Sequence, residues 1–494
     1  MSDLAQAYDA VPYENCVYDY TAPQYLNAVA RLFGANPPDW RRARVLELGC
    51  AGGGNLIPMA ARWPKAQFVG IDLSPVQIAK AQGIVDRLGL DNIAFHAQSI
   101  TELGDELGQF DYIIAHGVLS WVPPEVQDAT VATFARFLAP TGIGMLSYNT
   151  LPGWYVSLPV RDMLMHHCRD IEGPADKVAA AIALLETILA AAPMENDPWR
   201  LNLARELNTL RTSPPAYLMH EYFESSNHQF YFHQVVDKLK AAGLQYLGDA
   251  HPKRMVAGNV PPTVAERLAA IADPVEREQY VDYLINQRFR ASLICRPEVQ
   301  LNREPDRARI LDFCLTSYLR PRDPAAIDLR QDQMVAFAGP GDTNVRVAKR
   351  AAAALNVVLA ERQGRPIPAR RLITEAAARA GLKDKAEVQK ALVELGLLLV
   401  RAECYTIHSE ETPDVSTVSA RPLAFAPARL LAAEQTFLPS ARLGNELLDA
   451  PARAVLAACD GKTDHAGLAR ALGDQADQLA AILASLAVKG FLVG

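Results

Sequence analysis

A doubly wound α/β fold is what this sequence predicts, on three observations. Val45 and Leu46 end in an acid, Glu47, and open into a small-residue turn over 49–54. The apolar, helix-forming stretch NLIPMAARWP follows the turn. A second apolar run, 68–71, ends in Asp72. Strand, glycine turn, helix, strand and acid, in that order, build the nucleotide-binding half of such a domain. Small residues let the backbone at the turn approach a ligand and adopt positive φ. An acid closing the second strand is placed to take both hydroxyls of a ribose.

The remaining elements follow in order. Residues 1–30 place Tyr8, Tyr13, Tyr18 and Tyr20 in a stretch without strand periodicity, ahead of a helix from about Pro23 to Phe33. Such a segment either closes over a ligand or packs outside the core. AFHAQS (94–99) reads as strand 3, and FDYIIAHGVLSWVPP (110–124) as strand 4 with its loop. The helix TVATFARFLAP, the Thr141-Gly142 turn and strand 5, IGMLSYN (143–149), complete the series. LPGWYVSLPV then breaks the pattern before a helical region over about 160–210. QFYF, HQVVDKLKAAG and LQYLGDA predict a strand–helix–strand unit that closes a seven-stranded sheet. The expected organisation is therefore a first domain over 1–250, with a helical insertion at 155–215 as a candidate substrate lid. A middle domain follows over 251–340, and a mostly α domain over 341–494. Residues 344–408 read as three helices and the strand VRAECYTIHS, and 446–494 repeat that order, which is a winged-helix pattern.

Composition narrows the function. A chain of 494 residues is too long for one core. A net charge of −7 argues against a general nucleic-acid binder. The basic stretch VRVAKRAAAALNVVLAERQGRPIPARR has the apolar spacing of a packed helix with a solvated charged face. The winged-helix pattern on an acidic chain is accordingly read as a protein–protein module. No apolar run reaches the ~20 residues of a membrane span, and MSDLAQAYDA has neither the basic start nor the apolar core of a signal peptide. Seven widely spaced cysteines without a C-x-x-C pair point to the reducing cytoplasm and to no structural zinc.

E-x-G-x-A-x-G, running from Glu47 to Gly53, resembles the class I methyltransferases that use S-adenosylmethionine (AdoMet). A second βαβ half with its own glycine turn, as a dinucleotide enzyme would carry, is not visible. YDAVPYENCVYDYTAPQYLNAVARLFG, ELGCAGGGNLIPMA, FVGIDLSPVQIAKA, HGVLSWVP, LSYNTLPGW and HEYFESSNHQFYFHQ together resemble one bacterial family more closely. It comprises class I protein-lysine methyltransferases with a methyltransferase regulatory domain and a C-terminal helical domain, among them rickettsial enzymes acting on outer-membrane proteins. The resemblance is dense over 8–160 and 215–300 and thin over 305–494. The chain departs from it at Leu119, where the family pattern has Tyr.

The resemblance implies AdoMet as methyl donor, S-adenosylhomocysteine (AdoHcy) as product, and a protein or peptide acceptor. Gly49, Cys50, Ala51, Gly53 and Asn55 are expected to cradle the methionine part of the cofactor, with Glu47 favouring its cationic end. Asp72 is expected on the ribose, Leu73 on the adenine face, and Gln98 and Ser99 near the adenine amine. A lysine amine, with a pKa near ~10.4, must lose a proton before it attacks. A dry pocket with aromatic walls lowers that pKa and holds a cation by ring faces. His116, Trp121, Tyr148, Asn149 and Trp154 follow the ends of strands 4 and 5, where the acceptor is expected, and Tyr13 is expected to fold over the cofactor from the N-terminal segment. His116 is expected to take the proton or to hydrogen-bond the cofactor. Two other readings stay open at this point: methylation of a small molecule or peptide natural product, and a non-catalytic AdoMet-sensing regulator.

Overall fold

A computed structural model describes residues 16–191, 196–258, 260–341 and 343–494. Tyr8 and Tyr13 lie outside the described residues. Helix α1 spans Pro23–Leu32, as its apolar spacing predicts. The nucleotide-binding series follows as β1 (Arg44–Leu48), α2 (Leu56–Arg62), β2 (Gln67–Asp72), α3 (Pro75–Leu88), β3 (Ile93–Ala97), β4 (Phe110–Ala115), α4 (Pro124–Phe137) and β5 (Leu138–Thr150). The five strands pair in parallel in the order 3-2-1-4-5. Val45, Leu46, Ile113 and Ile114 are buried on both faces of the sheet, which parallel strands covered by helices require. Helix α3 shows how local signals set an element: Ser74 Oγ accepts the Gln77 N–H at 3.1 Å, Pro75 opens the first turn, and Gly89 at φ 65° closes the last.

The expected insertion is four helices: α5 (Leu158–His167), α6 (Pro174–Ala191), α7 (Pro198–Thr212) and α8 (Pro215–Phe223). They form a small core of their own from Val160, Leu164, Leu185, Leu203, Leu218 and Tyr222. Beyond them lie β6 (Gln229–Phe230), α9 (Phe232–Ala241), β7 (Gln245–Asp249), α10 (Pro262–Ala269), α11 (Pro274–Ile285) and β8 (Phe289–Cys295).

Here the structure corrects the sequence reading. The sheet does not close at residue 250. Its path runs β3-β2-β1-β4-β5-β8-β7, and β8 lies antiparallel between β5 and β7. QFYF supplies only the two-residue β6, parallel to the end of β5. The residue that hid β8 is Arg290, a charge in mid-strand with no solvent exposure. It is held by Asp282 at 2.8 Å and Glu278 at 3.0 Å, both on α11, so strand and helix are buried as one unit.

The C-terminal half contains β9 (Cys314–Ser317), β10 (Arg320–Pro321), β11 (Val335–Ala338), β12 (Asn344–Val347), α12 (Arg350–Glu361), β13 (Ile367–Pro368), α13 (Ala369–Arg379), α14 (Ala386–Arg401) and β14 (Tyr405–His408). The three helices and terminal strand are as expected, but a wing is not formed. β14 pairs with β9, which precedes the helices, and β9 also pairs with β13. The second repeat behaves alike: α15 (Ala426–Leu431), α16 (Ala450–Ala458), α17 (His465–Leu472) and α18 (Leu479–Val488) lead to β18 (Leu492–Val493), which pairs with the upstream β15 (Leu423–Ala424). Between them, β16 (Phe437–Pro439) and β17 (Asn445–Leu447) form a hairpin. This half is fastened to the first. Glu410 accepts from Arg62 and from Trp63 Nε1, each at 2.8 Å, and Asn445 exchanges hydrogen bonds with the Val17 backbone. Among the described residues no helix is long and apolar enough to cross a membrane.

Candidate active site

The glycine turn leaves the end of β1 as the sequence predicts. Gly49 sits at φ 70°, and a Cβ there would lie 2.7 Å from Val118 Cγ2, so both backbone conformation and space demand glycine. Asp72 closes β2 and fixes the turn: its Oδ2 accepts the Ala51 N–H at 2.8 Å and its Oδ1 the Ser74 N–H at 2.9 Å. Two connected clefts open here, sharing Gly49, Ala51 and Gly117 on their walls.

The first cleft, about 820 Å³, is lined by Asp72, Leu73, Gln98, Ser99, Val118 and Val126, among others. Its lining is largely apolar, with the acid at one end, which suits a flat base joined to a diol. Gln98 gives its side-chain N–H to the Glu102 carbonyl at 2.8 Å, and Ser99 caps the short turn that follows.

The second cleft is larger, about 1650 Å³, and runs from the glycine turn to the insertion helices. Glu47, Cys50 and Asn55 lie at its inner end. Glu47 is buried; its Oε1 accepts the Asn55 amide at 2.6 Å, and its Oε2 has no hydrogen-bond partner among the described residues. Burial pushes the carboxyl up to about 8, opposed by the Asn55 bond and assisted by Asp72. A buried acid with an unused oxygen at a glycine turn offers a place for a cationic group. Asn55 also takes the Tyr18 N–H at 2.9 Å, and the Tyr18 ring stands edge-on to His116, 4.2 Å between centroids. The N-terminal segment thus does fold over this site, through Tyr18 and Tyr20. Tyr13, expected in that role, is outside the described residues.

His116, Trp121, Asn149 and Trp154 all line the second cleft. His116 is engaged at both nitrogens, Nδ1 with Ser147 Oγ at 3.0 Å and Nε2 with Tyr20 Oη at 3.2 Å. Burial, then His251 and Arg254, lower its pKa to about 4, so it is neutral at physiological pH and weak as a base. Trp121 and Trp154 stand edge to face, 6.3 Å apart.

Tyr148 is a correction. It is not on the cleft: its ring is buried in the core on Phe230 and its hydroxyl pairs with Ser292 Oγ at 2.9 Å. The reason is strand parity. β5 runs on to Thr150, so Ser147 and Asn149 face the site while Tyr148 faces the other side of the sheet. Gly53 is also off the clefts; a Cβ there would meet Phe95 at 2.7 Å, so this glycine serves packing of the turn on the sheet. Leu119, the departure from the family pattern, is fully buried in the core and touches neither cleft wall.

The insertion contributes residues that the sequence reading missed. Arg205, Glu206, Thr209, Tyr217, His220, Glu221 and Tyr222 line the outer part of the second cleft, with Arg288 from the turn before β8. Glu206 is saturated: Ser157 Oγ at 2.8 Å, Arg205 at 2.7 Å and the Tyr222 hydroxyl all donate to it. Burial works against its charge, but those bonds outweigh it and lower its pKa. Glu221 is different. Burial pushes it up to about 7, against Arg288 and a hydrogen bond from Tyr217.

The comparisons with known proteins agree with this geometry. A family model described as "Methyltransferase domain" matches residues 45–142, and one described as "Predicted methyltransferase regulatory domain" matches 214–296. The second match runs from α8 to β8, so it includes the closing strands of the sheet and the part of the site's outer wall that α8 and Arg288 supply. Protein RP789 of Rickettsia prowazekii is 37% identical over 80% of this chain and 72% of its own length. The chain belongs to the class I AdoMet-dependent methyltransferases that carry this regulatory domain. Protein RP028 of the same organism is 38% identical over 47% of the chain and 93% of its own length. PKMT2 from Rickettsia typhi, solved in complex with AdoHcy, superposes with a TM-score of 0.91 at 29% identity, covering 98% of this chain and all of that one. The chain is an enzyme that uses AdoMet, and the buried Glu47 oxygen, the glycine turn and the apolar cleft beside Asp72 fit that cofactor.

Proposed function

We propose that this methyltransferase acts on lysine side chains of a protein. The observation that carries the reading is the second cleft. It begins at the glycine turn, widens to about 1650 Å³, and is walled by Trp121, Trp154, Tyr217 and Tyr222 with carboxylates between them. Aromatic faces and carboxylates hold an alkylammonium; exclusion of water lowers its pKa, and a carboxylate beside it can accept its proton. The similarity to PKMT2 over nearly the whole chain supports the reading, as does the resemblance to protein-lysine methyltransferases noted from sequence.

Within this proposal Glu47 and the turn through Asn55 take the amino-acid end of AdoMet, Asp72 takes the ribose hydroxyls, and Leu73, Gln98 and Ser99 border the adenine. His116 positions Tyr20 and Ser147 as a neutral imidazole and does not take the proton of the amine. Trp121 and Trp154 flank the acceptor amine. AdoMet supplies the electrophilic methyl group; the chain's part is to orient the amine in line with it and to exclude water. The C-terminal half, docked on the first through Glu410 and Asn445, is proposed to bear the protein substrate rather than nucleic acid.

The test separates acceptor classes. A bacterial lysate is divided by gel filtration into macromolecules and small molecules, and each fraction is given the enzyme and methyl-labelled AdoMet. Label in protein supports the reading. Label confined to the small-molecule fraction supports an acceptor of that class instead.

A further inference from the structure

We propose that Glu221 receives the acceptor amine: its carboxylate pairs with the incoming ammonium and takes its proton before methyl transfer. This deepens the lysine reading above and rests on it. Three carboxylates line the second cleft among the described residues. Glu47 sits on the glycine turn, where the cofactor binds. Glu206 is filled by Ser157, Arg205 and Tyr222. Glu221 takes the Tyr217 hydroxyl, one helical turn away on α8.

Its neighbours favour an exchangeable proton. Arg288, Arg161 and the Tyr217 hydroxyl stabilise the carboxylate, while burial and the nearby Glu206 oppose it, and the balance lies near neutrality. Tyr222, His220 and Arg205, which donates to Glu206, complete the titratable groups of this wall. Two histidines also line the cleft: His116 is neutral and occupied at both nitrogens, and His220 faces Glu224, its Nδ1 3.8 Å from a carboxylate oxygen. A second observation also points to a ligand: Asn149, on the same cleft, is 5% exposed and has an amide nitrogen with no partner among the described residues. An amide carbonyl of the acceptor chain would satisfy it.

The proton and electron count closes. The ammonium gives one proton to the Glu221 carboxylate, leaving a neutral amine with a lone pair. The lone pair forms the new N–C bond as the methyl–sulfur bond breaks, and those electrons stay on sulfur. The methylated product carries the positive charge that the sulfonium loses. Glu221 then returns its proton to water.

The experiment uses the full chain with AdoHcy and a five-residue peptide with a central lysine; the same peptide with norleucine is the control. Binding is followed by saturation-transfer NMR, and methylation of the lysine peptide is followed against pH. Glu221→Gln is expected to weaken the lysine peptide at least tenfold while leaving AdoHcy affinity within twofold. It is also expected to remove the limb of the kcat/KM profile near pH 7. Tyr217→Phe withdraws a bond that stabilises the carboxylate, so it is expected to move that limb to higher pH. Unchanged peptide affinity and an unchanged limb in Glu221→Gln overturn the role of Glu221 alone. Equal binding of the lysine and norleucine peptides by the unaltered chain overturns the lysine reading and this proposal with it.

Discussion

Glu47 and Asn55 share a 2.6 Å hydrogen bond at the root of the cofactor site, and the oxygen of Glu47 that Asn55 does not use is buried without a partner among the described residues. With its pKa raised to about 8, Glu47 is mostly protonated at neutral pH before a ligand arrives. A cationic ammonium beside it favours the carboxylate. Binding of AdoHcy near pH 7 is therefore expected to release close to one proton, read by calorimetry in buffers of different ionisation enthalpy. Because the folded pKa lies above the unfolded one, Glu47 favours the fold below about 4.5 and loses that contribution as pH rises through about 8. Glu47→Gln should abolish the proton release, weaken AdoHcy by about 1.5–3 kcal/mol, and flatten this part of the stability profile.

Asp72→Ala leaves the Ala51 and Ser74 N–H groups without their acceptor. Loss of AdoHcy affinity by about 1–3 kcal/mol is expected, the cost of removing a charged hydrogen-bond partner. Calorimetry with unchanged affinity would remove Asp72 from the cofactor site.

Gly49 and Gly117 both have positive φ, 70° and 68°, yet only Gly49 has a neighbour where a Cβ would stand. Gly117→Ala should cost only the backbone strain, about 1–2 kcal/mol in denaturant unfolding. Gly49→Ala should cost more, and should also weaken AdoHcy because Val118 is pushed into the first cleft. Equal losses in the two variants would contradict the assignment of the contact.

How much of this was legible follows from what sets each element. Residues 45–149 are punctuated locally, by glycine turns, proline-opened helices and apolar runs, so the strands and Asp72 could be read directly. Tyr148 was misplaced because parity needs the true end of β5, and the strand continues past Asn149. β8 was missed because Arg290 looks wrong for a central strand until α11 supplies Glu278 and Asp282. The same long-range pairing defeated the winged-helix reading: the partner of β14 lies some ninety residues earlier, in β9. Glu206 and Tyr217 carry no local signal, since α7 and α8 read as ordinary amphipathic helices; Glu221 lies in the string HEYFESSNHQFYFHQ that carries the family resemblance, but nothing in that string marks it as part of the site. Their place on the site comes from how the insertion folds over the strand ends.

Arg290 makes the closing strand testable. Arg290→Leu strands the buried Glu278 and Asp282 and removes one of two arginines beside the buried Asp249, 3.8 Å away, and breaking such a pair costs about 3–5 kcal/mol. All three carboxyls are already raised by burial, Asp282 to about 6. Acids raised in the fold lose stability as pH rises through their folded pKa. The variant should therefore recover part of its loss at pH 5 relative to pH 8 in thermal unfolding. An equal loss at both values would contradict this account of β8 and α11.

The central claim, transfer of a methyl group to protein lysine, is tested most directly by the chemical identity of the product. Proteins labelled by the enzyme with deuteromethyl AdoMet are digested and the modified residues located by tandem mass spectrometry. The account predicts deuterated methyl groups on lysine Nζ, reduced when Glu221 is replaced by Gln. Label on carboxylates, on other side chains, or only on small molecules would contradict it.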